Sequence, residues 1–223
     1  MESNTIWIAS FDIGKKNFAF CIEEVDTHAF NSVDCIPKKE RYSQNGTPTQ
    51  EFATCIKKVG DNGRIVCLKL KDLTDGIPTK KQLDTRVLIN LTKFLDTYRS
   101  FWDRCSIFVI EQQMGFGKKQ NTVALKIGQH CFSYFLFQYA NFKKIIEFPA
   151  YHKTKVLGAP KKLKKYDRKA WSVDEALRIL VDRGDTEQLE NIRSKRKKDD
   201  CADVITQLQA FKWLYFIDQQ EFD

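Results

Sequence analysis

Hydrophobic and polar positions change period several times along the chain. Residues 5–13 form an almost unbroken apolar run, which predicts a buried central strand. Gly14-Lys15-Lys16-Asn17 breaks it, and residues 18–22 form a second apolar run. Two such runs around a glycine-containing turn predict a hairpin. Residues 64–70 read as a third strand. Between them, 27–63 is polar and turn-rich, with Pro37, Asn45-Gly46, Pro48, Gly60 and Asn62-Gly63, and reads as a surface insertion.

The period then lengthens. Val87, Leu88, Leu91, Phe94, Leu95, Tyr98, Phe101 and Trp102 lie on one stripe and predict a helix. Residues 106–110 are a short β-branched run, hence a buried strand. Asn121 can cap a helix whose inward face carries Ala124, Gly128, Cys131, Phe132, Phe135 and Tyr139. Residues 145–148 read as a fifth strand, ended by Pro149. The basic stretch 153–169 holds Gly158 and Pro160 and so starts as loop. Residues 171–181 read as a helix, 193–198 as a second basic cluster, and 199–217 as a last long helix. The order β-β-(insert)-β-α-β-α-β-α-α predicts an α/β fold, a mixed five-stranded sheet with helices on both faces.

Composition narrows the classes. With 223 residues, 42% hydrophobic and 30% charged, the chain suits one domain carrying an insertion at about 27–63. Disordered chains, collagen-like repeats and small disulfide scaffolds are excluded. The 37 basic against 29 acidic residues leave +8, which calls for a polyanionic partner. A membrane surface would need a basic amphipathic helix with an exposed apolar face, a moment the basic segments lack. No membrane partner and no small-molecule substrate is therefore expected. The start of the chain has no basic region ahead of a signal core, and its seven cysteines are odd in number and scattered without C-x-x-C spacing. The expectation is an intracellular protein with reduced, mostly buried thiols. His28, His130 and His152 form no zinc pattern with them.

The carboxylates carry the chemistry. Asp12 ends the first predicted strand between Phe11 and Ile13, and Glu111 ends the fourth after Ile107-Phe108-Val109-Ile110. Acids at such places are costly unless paired. Asp199-Asp200-Cys201-Ala202-Asp203 opens the last helix. At about 100° per residue, Asp200 lies at the centre of the stripe of Val204, Phe211 and Leu214, Asp203 about 60° aside, and Asp199 about 100° away. Asp199 therefore reads as the cap, and Asp200 and Asp203 as carboxylates aimed inward or at a cleft. If that helix crosses the ends of strands one and four, Asp12, Glu111, Asp200 and Asp203 converge. Their repulsion is resolved by divalent metal. Mg²⁺ or Mn²⁺ prefer oxygen ligands, and two ions about 4 Å apart suit in-line attack on a phosphodiester. A basic surface around an acidic pocket is the pattern a metal-dependent nuclease needs.

These residues resemble a known family. Ile8-Ala9-Ser10-Phe11-Asp12-Ile13-Gly14-Lys15-Lys16-Asn17 is similar to the first motif of RuvC-type Holliday junction resolvases, closest to the poxvirus branch. Val109-Ile110-Glu111-Gln112-Gln113 resembles the second-motif strand, and residues 121–128 the helix after it. Lys198-Asp199-Asp200-Cys201-Ala202-Asp203 resembles the final motif, with its ligand acids spaced D-x-x-D. Pro149 followed by Lys153 resembles the family's lysine after the fifth strand, and 165–173 its second basic segment, where Lys165 or Lys169 is the second lysine. The resemblance covers most of the chain except 27–63, which is longer than the connection it leads one to expect. It implies an RNase H-like fold and a homodimer. It further implies paired symmetric cuts across four-way DNA junctions with Mg²⁺ or Mn²⁺, the ligands being Asp12, Glu111, Asp200 and Asp203. Lys153 would then sit beside the scissile phosphate. For DNA contact the candidates are Lys15, Lys16 and Asn17 in the hairpin turn, then Lys155, Lys161, Lys162, Lys164, Lys165, Arg168 and Lys169. Lys197 and Lys198 join them beside Arg193, Lys195 and Arg196. Gln112 and Gln113 either reach the DNA or bond to the backbone; Phe116 and Tyr151 flank the expected active edge, where an aromatic ring either packs in the core or wedges into an opened junction or stacks on a base. The poxvirus-like motif points to a large DNA virus, with the replication site in host cytoplasm as the expected location, or else to a mitochondrial or cellular relative, for which the location stays open.

Overall fold

The computed structural model describes residues 4–77, 82–113 and 121–222. Within them, β1 (Thr5–Asp12), β2 (Phe18–Asp26), β3 (Arg64–Lys71), β4 (Cys105–Gln112) and β5 (Lys144–Pro149) form a five-stranded sheet ordered β3-β2-β1-β4-β5. The predicted hairpin joins β1 and β2 antiparallel, with Asp12 opposite Ala19. β3 adds antiparallel to β2, while β4 and β5 run parallel to β1. The sheet is mixed because its first half is a meander and its second half is reached through helical crossovers.

Alternation along the central strands sorts side chains between two cores. Trp7, Ala9 and Phe11, with Phe108 and Ile110, face α2 (Thr85–Asp96), α3 (Arg99–Trp102) and α4 (Thr122–Tyr139). That layer is aromatic: the Phe11 ring lies 5.6 Å from Trp102 and 5.0 Å from Phe135. Each such ring, fully buried, stabilises the fold by roughly 1.5–3 kcal/mol. Ile8, Ile107 and Val109 face the other way. They meet α1 (Gln50–Asp61), α5 (Tyr151–Val156), α6 (Lys165–Asp182) and α8 (Asp199–Lys212). Helices thus cover both faces, as the pattern predicts. α7 (Thr186–Arg193) joins α6 to the second basic cluster, and a π-helical turn, Trp213–Ile217, ends α8.

Four local expectations are corrected. The 27–63 insertion is not all surface loop. Thr49 Oγ1 accepts from Phe52 N, and Phe52, Cys55, Ile56 and Val59 bury one face of α1. The Phe52 ring meets Trp213 at 4.9 Å. Arg41, bound to Asp218 at 2.6 Å and 2.7 Å, ties the insertion to the chain beyond α8. The stripe over 87–102 is not one helix. It breaks after Asp96, and the Trp102 indole N–H donates to the Leu95 carbonyl at 2.8 Å, taking up an acceptor at the end of α2. The basic stretch starts as helix α5, not loop. Finally, Lys198 occupies the cap position of α8 and gives no side-chain cap, so Asp199 is the first helical residue.

Two polar groups fix α8 on the sheet. Gln207, 1% exposed, donates to Ser10 Oγ at 3.0 Å, Phe11 O at 3.2 Å and Val109 O at 3.3 Å. Further along, Glu23 accepts from Arg183 Nη1 at 2.9 Å, Gln209 Nε2 at 2.8 Å and Lys212 Nζ at 3.0 Å. Of the cysteines, Cys35 is exposed and the rest are buried as free thiols. Among the described residues no helix is long and apolar enough to cross a membrane.

Candidate active site

Parallel pairing of β1 with β4 sets Phe11 beside Ile110, so the next residues, Asp12 and Glu111, end neighbouring strands on the α8 face. Their side chains share a hydrogen bond. Gln207 bonds to the same two strands, which places the α8 turn carrying Asp203 above those acids. β5 pairs with β4 up to Pro149 opposite Gln112, and α5 starts directly after it. The Lys153 ammonium then reaches Glu111 Oε1 at 3.3 Å and Asp203 Oδ1 at 3.2 Å. Asp12, Glu111, Asp203 and Lys153 therefore come together, as the sequence suggests.

The electrostatics are one-sided. Burial pushes the Asp12 carboxyl well above its ordinary range; Glu111 and Asp203 push it further, against Lys153. Burial acts on Glu111 in the same sense, but Lys153 and the hydrogen bonds from Asp12 and Gln113 overcome it and hold Glu111 ionised. Of the two acids, Asp12 keeps the proton. Burial pulls Lys153 down, and Asp203, Glu111 and Asp12 more than offset it, so this lysine stays charged at any working pH. Among the described residues, no three His, Cys, Asp or Glu side chains stand close enough together to hold a metal ion as they are.

Asp200 stands to one side of the four. It is 8% exposed, and its Oδ2 has no hydrogen-bond partner among the described residues. Burial and the neighbouring Asp199 raise its carboxyl to about 6, with Lys169 and Lys197 opposing. The helical-wheel argument put Asp200 at the centre of an apolar stripe. In fact α8 is buried nearly all round, from Asp200 to Lys212, and Asp203 is the half-buried exception. Asp199 binds the Lys169 ammonium. Lys165, at the start of α6, is exposed.

Residues the sequence left unassigned orient the acids. Ser172, 3% exposed on α6, donates to Asp203 Oδ1 at 2.8 Å. Gln113 Nε2 donates to Glu111 Oε2 at 2.9 Å, a carboxylate contact that neither of its two expected roles named, and reaches the Glu111 backbone carbonyl at 3.4 Å. The one available signal was position: Ser172 and Gln207 replace apolar residues on buried helix faces. Around the acids, Lys197 Nζ reaches Asn17 Oδ1 at 3.4 Å, which joins the hairpin turn of Lys15 and Lys16 to the cluster of Lys197 and Lys198. Lys155, Lys161, Lys162, Lys164 and Arg168 are exposed on the other flank. Tyr151 is exposed and backed by the His152 ring at 4.3 Å. Phe116 lies outside the described residues.

Solved structures share this architecture. The Fowlpox virus resolvase in complex with its substrate Holliday junction DNA aligns over 97% of this chain and 100% of its own, at 16% identity and a TM-score of 0.54. The yeast mitochondrial Holliday junction resolvase Ydc2 aligns over 95% of this chain and 80% of its own, at 12% identity and a TM-score of 0.50. The chain thus shares the fold of these resolvases. No family model matches the sequence. Protein 170L of Invertebrate iridescent virus 6 is 36% identical over 239 residues, spanning 96% of this chain and 92% of that protein. Protein 97L of Invertebrate iridescent virus 3 is 33% identical over 216 residues, spanning 92% and 98%. The chain belongs to the family of these iridescent virus proteins.

Proposed function

We propose that the protein is a divalent-cation-dependent DNA endonuclease that resolves four-way junctions by paired nicks, working as a homodimer. One observation supports the reading: Asp12, Glu111 and Asp203 gather around Lys153 at one sheet edge, with Asp200 to one side on α8, between two basic flanks. Their chemistry fits Mg²⁺ or Mn²⁺. All the donors are carboxylate oxygens, the Asp200 Oδ2 is orphaned, and burial, reinforced by Glu111 and Asp203, drives the Asp12 carboxyl up. Asp12, Glu111, Asp200 and Asp203 would hold the cation, and that number of acids suits two. When bound, it supplies Lewis-acid polarisation of the phosphodiester and a more acidic water.

The chain's own residues do the rest. Gln113 and Ser172 fix the carboxylates of Glu111 and Asp203. Asp12, raised by burial, would have to be ionised to hold the cation, so binding would tighten as pH rises. Lys153 is charged throughout, so it is no general base. Released from Glu111 and Asp203, it neutralises charge building on the scissile phosphate. Lys169, held by Asp199, is the second basic residue of the site. Lys15, Lys16, Asn17, Lys197 and Lys198 on one side, and Lys155 with 161–168 on the other, bind backbone phosphates. Selection rests on junction shape more than on base edges. Two identical centres on opposed strands are a simple basis for symmetric cuts. We assign this work to the viral replication site in host cytoplasm.

The test is cleavage of an immobile four-way DNA junction by the purified protein with Mg²⁺, with EDTA, and as Asp203→Asn. Paired nicks that need the cation and vanish in the variant, while junction binding persists, support the reading. Cleavage of a hybrid or linear duplex instead moves the substrate within the superfamily. Binding without cleavage under any divalent cation leaves a junction-binding protein.

A further inference from the structure

Residues 42–48 of the insertion form a small tongue. Tyr42 and Pro48 pair as an isolated antiparallel bridge. Ser43 N donates to Thr47 O at 2.9 Å, Gly46 N to Ser43 O at 2.9 Å, and Thr47 N to Asn45 Oδ1 at 2.9 Å. The turn is closed by its own bonds, so it is a stiff element.

Its outer side grips a segment more than a hundred residues away. Tyr42 Oη donates to the carbonyl of Val156, the last residue of α5, at 3.0 Å. Lys161 Nζ donates to the Gln44 carbonyl at 3.0 Å. The Lys161 stem lies so close to Gly46 that a Cβ there would stand 2.8 Å from Lys161 Cγ. At Gly158 a Cβ would stand 2.2 Å from Pro48 Cγ. Both glycines take left-handed backbone, at φ +91° and +76°. Neither position accepts a side chain without displacing its neighbour.

The gripped segment, 157–164, links α5 to α6. Lys153, among the acids, lies just before it, and Lys169, bound to Asp199, lies just after it. Lys162, Lys164, Lys165 and Arg168 are exposed, and none forms an ion pair among the described residues. A run of like charges repels itself and does not order unaided. Here both ends are tied to the acidic centre and the middle is tied to the tongue.

We propose that the tongue is a positioning device for this basic loop. It sets the loop's lysines at a fixed distance from the carboxylates, so that backbone phosphates of a DNA arm bound there are held in register with the point of cleavage. The inference rests on the nuclease reading. The insertion, in this account, contributes no charge of its own to the DNA. It supplies the preorganisation that makes the lysines act together.

Two uncharged substitutions test it, Gly158→Ala and the milder Tyr42→Phe, in the full chain. Hydrogen exchange over 157–164 in the free protein reads the hold, and thermal melting checks the fold. Four-way junction binding across a KCl series, with Ca²⁺ in place of Mg²⁺, reads the function. The expected result is faster exchange in 157–164, affinity lower by about tenfold, and a salt slope shallower by roughly 1 to 2. Neither substitution removes a charge, so a shallower slope means that lysines have left the DNA. A general loss of stability would not change the slope. Wild type that binds the junction while both variants match it in affinity and slope overturns the inference alone. Wild type that binds no junction overturns the nuclease reading, and this inference with it.

Discussion

Helix α8 meets the same sheet face with two clusters of charge, one at each end. At its C-terminal end Lys212 and Arg183 enclose Glu23, with side chains 0%, 4% and 0% exposed. Every charge there has a partner. Lys212 also donates to Asn62 O at 2.7 Å, and Arg183 Nε to Gly60 O at 2.6 Å. Burial works against the Glu23 carboxylate, yet the two cations hold it down at about 2. At the N-terminal end the acids outnumber the lysine among them. One buried oxygen is orphaned, and Asp12 is driven up. Buried charge alone therefore does not mark a functional site, and neither does the excess cation around Glu23, where burial and Arg183 pull Lys212 down to about 8; excess acid with an orphaned oxygen does. The first cluster is complete as folded, whereas the second lacks positive charge that the chain does not supply.

Breaking the closed cluster should have the largest effect on stability. Lys212→Ala leaves Glu23 and the Asn62 carbonyl short of a buried partner, and urea unfolding should report a loss of about 3–5 kcal/mol. The open centre should respond in the opposite sense. Asp200→Asn removes a charge with an unpartnered oxygen, so the cation-free protein should gain about 1 kcal/mol. The same variant should lose most of the melting-temperature rise that Mn²⁺ gives the wild type. A variant less stable than wild type without cation would sink the idea of surplus negative charge.

The two clusters should also part in pH. Asp200, raised to about 6, is an acid whose ionisation opposes folding. Its cost is absent below the ordinary 3.8 and complete above about 6, so the stability gap between Asp200→Asn and wild type should open as pH rises from about 4 toward 6 and hold level above it. Glu23, lowered to about 2 from an ordinary 4.5, favours folding when ionised. Its contribution is complete above 4.5 and is lost as pH falls toward 2. Urea midpoints from pH 3 to pH 8 check both signs at once.

A single hydrogen bond sharpens the comparison at the acidic end. Ser172→Ala takes one hydrogen bond from Asp203 but leaves Lys153 in place. Single-turnover junction cleavage should slow by about tenfold, equivalent to roughly 1.4 kcal/mol, with binding unchanged. An equal loss of binding would mean that Ser172 shapes the DNA surface instead of the acid.

The strands and the acids that end them were legible because both depend on local order. A two-residue alternation through Ile8, Ser10 and Asp12 fixes which face Asp12 shares with its neighbours, wherever the strand ends up in the sheet. The Gly14 turn closes the hairpin within a few residues. Asn121 caps α4 through Ala124 N, three residues on. Helix α1 was legible in principle, from Thr49 and the spacing of Phe52, Cys55, Ile56 and Val59. The surrounding prolines and glycines obscured it. Asp199 has the composition of a cap, but Lys169 takes its carboxylate from across the fold.

Sequence alone determined which residues can bear the chemistry: two strand-end acids, the acids opening the last helix, and the basic runs beside them. Tertiary structure decided how they meet. Lys153 lies between Glu111 and Asp203 because β5 pairs in register with β4 and hands directly into α5. Gln207 sets α8 over the strands through bonds spanning 98 to 197 residues. The tongue grips a loop 117 residues downstream at Lys161, and Glu23 finds Lys212 across 189. Local propensity carries no information about such partners. Their pairing follows from burying both faces of one sheet, which brings distant polar groups into a low-dielectric space where each must find its complement.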